Sequence, residues 1–154
     1  MISLSIKDKN LFVAAFILGL GLLGAIDGIV FHQLLQWHHM VLSTNIQLEI
    51  LTDGFFTAAF SALLIWGGIK IFKDTRNDKL GYNWSIFFGG VFIGGGTFNL
   101  VEGIVNHHIL QVHRVKPTAE NPLVYDLAFL ALGILLIIVG WMIIRKSKQI
   151  KVAR

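Results

Sequence analysis

The stretch from Asp27 to His38, D-G-I-V-F-H-Q-L-L-Q-W-H, occurs a second time in the chain. Residues 102–113 read E-G-I-V-N-H-H-I-L-Q-V-H, and seven of the twelve aligned positions are identical. The shared polar positions are a carboxylate, two histidines and a glutamine, set among apolar residues. All six histidines of the chain lie in or directly beside these two blocks. The repetition predicts a site built from two similar halves.

The composition is typical of an integral membrane protein. The chain has 154 residues, of which 55% are hydrophobic and 14% are charged, whereas a soluble domain carries about 25% charged residues. Cysteine is absent, which excludes disulfides, thiolate metal sites, iron–sulfur clusters and cysteine nucleophiles. The formal charge of +4 comes from basic residues that flank apolar segments. This placement indicates membrane topology and not the binding of nucleic acid.

Four apolar stretches are long enough to span a lipid bilayer, which takes about 20 residues. They cover residues 11–37, 49–72, 82–110 and 123–144. Eleven of the thirteen Lys and Arg residues lie on one side of these spans, so the positive-inside rule places both termini in the cytoplasm. We therefore predict an all-α integral membrane protein, a four-transmembrane-helix bundle with both termini cytoplasmic.

Matching residues outside the blocks extend the repeat over whole spans. They recur at offsets of 75 and 73 residues: Gly19 with Gly94, Gly21 with Gly96, and Asp53 with Asp126. The chain is predicted to be a single membrane domain of two parallel two-helix repeats, residues 11–72 and 82–145, followed by a basic cytoplasmic tail, residues 146–154. Such repeats are related by a pseudo-two-fold axis along the membrane normal.

Two small-residue motifs predict where the spans pack most closely. Span one contains Gly24-x-x-x-Gly28, and span three contains Gly90-x-x-x-Gly94. Small residues at this spacing let the backbones of two membrane helices approach each other. We expect both motifs to lie between spans one and three.

The repeated acids and histidines lie in one layer, just inside the outer edge of the hydrocarbon, when residues are counted along the spans at about 1.5 Å each. Ionisable groups at this depth are costly unless they are paired, hydrated or bound to a metal. Only Arg114 is near enough to pair with these acids. Carboxylates together with imidazoles are typical ligands of a divalent transition metal. The predicted metal ligands are Asp27, His32, His38, His39, Asp53, Glu102, His107, His108, His113 and Asp126.

Helical spacing argues against a site formed by one block alone. Asp27 and His32 are five residues apart, or about 140° around a straight α-helix, and therefore do not share a face. A compact site needs residues from several spans, or a break in the helix near Gly28 and Gly103. The equal spacing in both halves favours two symmetric half-sites or one bridged two-metal site.

Several of the polar residues also fit structural roles. Asp27 and Glu102 could hold the histidine rings in position without binding metal. Asp53 and Asp126 could cap the N-termini of spans two and four. Hydrogen bonds that support the site are expected from three amide side chains: Gln36, Gln111 and Asn106.

The motifs resemble a bacterial family of small predicted membrane proteins, domain of unknown function 2243. The matching pieces are G-x-x-D-G-I-V-x-H-Q-x-L-Q-W-H-H at residues 24–39, D-G at residue 53, F-N-L-V-E-G-I-V-N-H-H at residues 98–108 and D-L-A-F-L-A-L-G at residues 126–133. The resemblance covers nearly the whole chain and implies a multi-pass protein of the bacterial cytoplasmic (inner) membrane. It implies no catalytic residues. It also implies respiratory or metal-delivery membrane proteins as partners, which favours copper as the metal.

This pattern leads to four hypotheses about function. The first is transition-metal handling near the extracytoplasmic face, with copper favoured over zinc or iron; Met40 after His39 supports copper because thioethers favour Cu(I). The second is a membrane-embedded enzyme with two iron or zinc ions. The third is a haem protein with His32 and His107 as axial ligands, which the nearby carboxylates fit poorly. The fourth, a transporter or proton relay, is disfavoured because the inner halves of the spans are almost purely apolar.

Overall fold

The computed structural model describes the backbone of residues 4–152 and the side chains of residues 4–146. Within these residues the chain forms helices and no strand, and two of its four α-helices continue into a π-helical turn. The elements are α1 (Ile6–Asp27) with a π-turn at Gly28–Leu34, α2 (Ile46–Arg76), α3 (Trp84–Glu102) with a π-turn at Gly103–Ile109, and α4 (Pro122–Val152). The side chains of the predicted basic tail lie outside the described residues after Lys146.

The helices are long and apolar enough to cross a membrane. Four stretches within the described residues meet this condition: Ile6–Leu34, Ile46–Arg76, Trp84–Ile109 and Pro122–Lys146. The all-helical fold with four candidate spans, predicted from the sequence, is therefore confirmed. Large apolar side chains are exposed on the outer surface, among them Phe55, Ile65 and Leu135, as expected of helices that face lipid.

Polar residues outside the site define where the helices begin. Asn45 caps α2 and Asn83 caps α3, each accepting a hydrogen bond from the first turn, and Pro122 starts α4, where its missing N–H is harmless. Asp53 and Asp126 lie inside α2 and α4. The interpretation of these two acids as N-caps is therefore wrong, because both helices begin earlier and leave the carboxylates free to act elsewhere.

Helices α1 and α3 lie at the centre of the molecule. Helix α1 packs against α2 and α3, and α3 packs against α1 and α4. The order across the molecule is therefore α2, α1, α3, α4. Side chains of the outer helices also reach the centre, since the ring of Phe60 in α2 meets that of Phe98 in α3 at 4.9 Å between centroids.

Two glycines at matching positions allow α1 and α3 to touch backbone to backbone. A Cβ atom built at Gly19 would overlap the carbonyl oxygen of Val91, and one built at Gly94 would overlap that of Phe16. Since real Cβ atoms do not approach a carbonyl so closely, any larger residue at either position would push the two helices apart.

The two predicted glycine motifs do not both lie at this crossing. Gly90, like Gly94, faces α1, as expected. A Cβ built at Gly24 would instead meet the ring of Phe60 in α2, and one at Gly28 would meet Thr57 in α2. The expectation that the first motif packs against span three is therefore wrong. Its glycines make room for the neighbouring span of the same half.

Each π-turn begins at the glycine of a repeated block, Gly28 or Gly103. A π-helix closes its hydrogen bonds between residues five apart, one more than in an α-helix. At the end of the turns, the N–H groups of Leu35 and Leu110 donate to the carbonyl five residues earlier, both at 2.8 Å. The same local unwinding thus occurs at the same place in both blocks, where the predicted break in the helix was expected.

Candidate metal centre

The π-turn brings the acid and the first histidine of each block together. Residues five apart diverge on an α-helix but lie above one another on a π-helix. His32 Nε2 lies 3.3 Å from Asp27 Oδ2, and His107 Nε2 lies 3.1 Å from Glu102 Oε2. All four side chains are buried. Each block therefore forms a compact acid–imidazole pair that a straight α-helix would not allow.

The outer helices supply a second acid to each of these rings. In α2, Asp53 Oδ1 accepts a hydrogen bond from His32 Nδ1 at 2.9 Å. In α4, Asp126 Oδ1 lies 3.8 Å from His107 Nδ1. The His32 ring thus has a carboxylate at both nitrogens, although a neutral imidazole carries only one N–H. The second carboxylate contact requires either an added proton or a metal cation.

The loops after the π-turns supply the second histidine of each block. His38 Nδ1 donates to the carbonyl of Val115 at 2.7 Å, and His113 Nδ1 donates to the carbonyl of Met40 at 3.1 Å. Each acceptor lies two residues after the second histidine of the opposite block, so the contacts are reciprocal. The two imidazole rings stack, with centroids 4.7 Å apart and planes 10° from parallel. Because Nδ1 donates in both rings, Nε2 is the nitrogen that could bind a metal; that of His38 has no hydrogen-bond partner, whereas that of His113 lies 3.0 Å from Glu102 Oε1.

His38 lies outside the spans and is held in its neutral form. Burial, together with the neighbouring His32 and His113 rings, lowers the pKa of His38 from 6.5 to about 3. The ring is therefore uncharged at neutral pH. Its Nε2 has no hydrogen-bond partner. A neutral imidazole whose Nδ1 donates to a backbone carbonyl is the form that binds metal ions.

Four imidazole rings form a continuous row, which we call the histidine row: His32, His38, His113 and His107. Consecutive ring centroids are 4.5, 4.7 and 4.8 Å apart. Two groups within this row have ligand atoms that all lie within 4.8 Å of one another, His32–His38–His113 and Glu102–His107–His113. Metal–ligand bonds of about 2.0–2.2 Å suit such spacings after small side-chain rotations. His113 belongs to both groups.

Buried atoms without hydrogen-bond partners are concentrated in this row. Among the side chains of residues 4–146, seven buried nitrogen or oxygen atoms lack a partner. Six of them belong to three histidines of the row and to the two acids beside it: His32, His38, His107, Asp27 and Glu102. Four of the six face each other in the Asp27–His32 and Glu102–His107 contacts, at 3.3 and 3.1 Å, without forming a hydrogen bond. Buried polar groups are almost always satisfied, and each one left unsatisfied costs about 1–3 kcal/mol. A cation bound in the row would satisfy several of these atoms at once.

His39 lies beside the row and not in it. Its Nδ1 donates to Asp53 Oδ2 at 2.7 Å. Arg114 has the matching position in the second block, and its Nη1 donates to Asp126 Oδ2 at 2.9 Å. The match indicates that His39 and Arg114 have the same role: each donates a hydrogen bond to the aspartate of its own half that lies beside the row. His108, also a predicted ligand, lies in neither ligand group.

One of the three predicted supporting amides reaches the site. Asn106 Nδ2 donates to Glu102 Oε1 at 3.4 Å. Gln36 and Gln111 are exposed, and the structure does not bring them to the row. Both have left-handed backbone, with φ values of 49° and 51°. Their repetition in the two blocks therefore marks the end of each π-turn.

Sequence reasoning did not include Glu49, which supports the loop beside the row. Its side chain is buried, and Oε1 accepts a hydrogen bond from the Ser43 N–H at 2.9 Å while Oε2 lies 3.7 Å from His39 Nε2. Glu49 falls outside both blocks and has no acidic counterpart in the second half. Its position one turn before Asp53 on the same helix was the available signal.

The chain was compared with known proteins. No curated protein and no solved structure matches it. One protein family, described as "Predicted membrane protein (DUF2243)", has a sequence model that matches residues 14–147. This range includes both repeated blocks and reaches into all four α-helices. The chain therefore belongs to this family of predicted membrane proteins of unknown function.

Proposed function

We propose that this protein binds a transition-metal ion in the histidine row and that copper is the preferred ion. The observation that carries the proposal is that six buried nitrogen and oxygen atoms in this row and in the adjoining Asp27 and Glu102 form no hydrogen bond. Imidazole and carboxylate ligands suit copper, zinc and iron, and the chain has no cysteine thiolate to offer. The proposed ligands are His32, His38, His107, His113 and Glu102.

The three aspartates have different roles in this proposal. Asp53 accepts hydrogen bonds from two histidines and a backbone N–H, and Asp126 binds Arg114 and a backbone N–H. With their oxygens engaged, these two acids orient the rings instead of binding metal. Asp27 Oδ2 has no hydrogen-bond partner, so Asp27 is available to complete the coordination of an ion held by His32.

The shared ligand favours one ion over two. His113 Nδ1 donates to the Met40 carbonyl, which leaves a single nitrogen to coordinate metal, and one lone pair serves one ion at a time. The two ligand groups are then neighbouring positions for one ion, which can move between them while His113 stays bound. Haem is disfavoured because the His38 and His113 rings lie between His32 and His107 and leave no room for a porphyrin.

The proposed location is the cytoplasmic membrane, with both termini inside and the row near the extracytoplasmic face. Lys7 at the start of α1 pairs with Asp78 after α2 at 2.6 Å, so these segments share the end of the molecule opposite the row. The excess of Lys and Arg at that end supports a cytoplasmic placement. Respiratory or metal-delivery membrane proteins are the partners proposed for a centre at the outer face.

Metal titration tests the proposal directly. Protein purified in nanodiscs and stripped with a chelator is expected to bind about one Cu(II) per chain, in competition with an indicator of known affinity. The His32→Ala/His107→Ala double variant should lose this binding, because it removes a ligand from each group. His108→Gln is the matched control, since Gln33 has this position in the first block. Native protein that binds no copper, zinc or iron would contradict the proposal.

The carboxylate of Asp53 provides a separate prediction. Asp53→Asn keeps the size of the side chain but replaces one oxygen that accepts from His32 or His39 with an NH₂ group. We expect metal affinity to fall by about 10–100-fold, the usual effect of losing a group that orients a metal-binding histidine. The same indicator competition measures it, and circular dichroism checks that the helices remain. Unchanged affinity would show that Asp53 does not orient the His32 ring.

A further inference from the structure

A crevice between α2 and α3 ends at the histidine row. Its volume is about 330 Å³, and its walls are mainly apolar. Val101 and Val105, which are 57% and 36% exposed, lie on the lipid-facing side of the crevice. Glu102 and Asn106 lie at its polar end. A molecule dissolved in the bilayer could therefore enter sideways and reach Glu102, which lies beside the row, without crossing water.

Three phenylalanines form the walls of the crevice. The rings of Phe56, Phe60 and Phe98 pack against one another: Phe56–Phe60 at 4.8 Å and 52° between planes, Phe60–Phe98 at 4.9 Å and 77°, and Phe56–Phe98 at 6.2 Å and 57°. Tilted aromatic rings of this kind favour a planar aromatic guest, which gains edge-to-face contacts beyond ordinary burial. An alkyl chain would gain only the burial of its surface.

The polar end of the crevice offers a hydrogen-bond acceptor. Glu102 is 5% exposed, and its Oε2 forms no hydrogen bond, although His107 Nε2 lies 3.1 Å away. Its Oε1 already interacts with His113 Nε2 at 3.0 Å and Asn106 Nδ2 at 3.4 Å. A carboxylate attracts a hydroxyl donor and repels the phosphate of a phospholipid headgroup. The crevice thus fits an apolar molecule with a single donor at one end.

We propose that this crevice binds a lipid-soluble phenol or quinol, with its ring against the three phenylalanines and its hydroxyl donating to Glu102. The volume lies in the range of small-molecule sites, about 300–1,000 Å³. Binding does not depend on the proposed metal function, although Glu102 also belongs to a ligand group of the row. A bound hydroxyl would therefore lie beside an ion held in that group.

The test compares two tryptophan substitutions at matching positions of the blocks. Val101→Trp adds bulk at the crevice, whereas Ile26→Trp adds it at the equivalent position on α1, where Ile26 is 41% exposed and does not line the crevice. The probe is 4-decylphenol, measured by equilibrium dialysis against nanodiscs with and without protein. We expect saturable binding of about one probe per native chain, a loss of about tenfold or more in Val101→Trp, and no loss in Ile26→Trp.

Three results would overturn the proposal: no saturable binding to native protein, native-like binding by Val101→Trp, or equal competition by decanol, which has the tail and hydroxyl but no ring. Each measurement is made on copper-loaded and on chelator-treated protein. Probe binding that persists in protein unable to hold copper would contradict the metal proposal and support the crevice. Copper binding without probe binding would do the reverse.

Discussion

Replacing His113 with alanine is expected to remove metal binding almost completely, with a larger loss than any other single substitution in the row. His113 belongs to both ligand groups, whereas His32 and His107 each belong to one. Loss of a group that merely orients a ligand costs about 10–100-fold in affinity, so loss of the shared ligand should cost more than about 100-fold. The copper-to-protein ratio after dialysis, measured by mass spectrometry, checks this expectation.

The ordering of the variants matters more than any single value. His32→Ala leaves the Glu102–His107–His113 group intact, and His107→Ala leaves the His32–His38–His113 group intact, so each should keep measurable binding. His108→Gln should bind copper as the native protein does, because His108 lies in neither group. A His113→Ala variant that keeps native affinity would show that the two groups do not share a ligand.

The second large effect concerns the crossing of α1 and α3. Gly94→Ala is expected to lower the free energy of unfolding by about 3 kcal/mol or more, the upper part of the range for overpacking. The added Cβ would overlap the carbonyl oxygen of Phe16, and backbone atoms cannot rotate away as a side chain can. Gly19→Ala should act in the same way against Val91. Thermal and denaturant unfolding in detergent, followed by circular dichroism, measures both losses.

Gly68→Ala is the control for these variants. A Cβ at Gly68 would meet no other atom within 4 Å, and the residue lies inside α2. Alanine in a helix interior is more favourable than glycine by about 0.5–1 kcal/mol, so this variant should be slightly more stable than the native protein. If Gly94→Ala were as stable as Gly68→Ala, the close crossing of α1 and α3 would be wrong.

The number and approximate bounds of the spans could be predicted from the sequence because hydropathy reports directly on which segments can cross a bilayer. Long apolar runs predicted four helices near the observed bounds. The inferred packing of span one failed at Gly24 and Gly28, which face α2. Glycine spacing indicates a close approach of two helices, but it does not identify which neighbour makes the approach.

The sequence predicted most of the residues that the structure brings together and offered a helix break near Gly28 and Gly103 as one way to join them, but it did not predict the contacts that the π-turns create. The spacing from Asp27 to His32 argues against a contact on an α-helix, yet the π-turn brings these side chains to 3.3 Å. A π-turn leaves no residue-type signature of its own. The only sign in the sequence was that both blocks place a glycine directly after the acid and a histidine five residues after it.

Other contacts could not be predicted from the pattern of side chains in the sequence. The carbonyl groups of Met40 and Val115 accept hydrogen bonds from the second histidines, and every residue type offers a carbonyl. His38 and His39 are neighbours in sequence, but the loop directs the His38 ring into the row and the His39 ring towards Asp53. Aligning His39 with Arg114 was the one sequence observation that could have distinguished them.

X-ray absorption at the metal edge of the natively purified, metal-loaded protein tests the central claim most directly. We expect copper with three or four nitrogen and oxygen neighbours at about 2.0 Å, the multiple-scattering pattern of imidazole, and no sulfur shell. Protein that carries no bound metal after expression in copper-, zinc- and iron-replete cells would contradict it. A bound ion without imidazole neighbours would contradict it equally, because the histidine row would then not be the site.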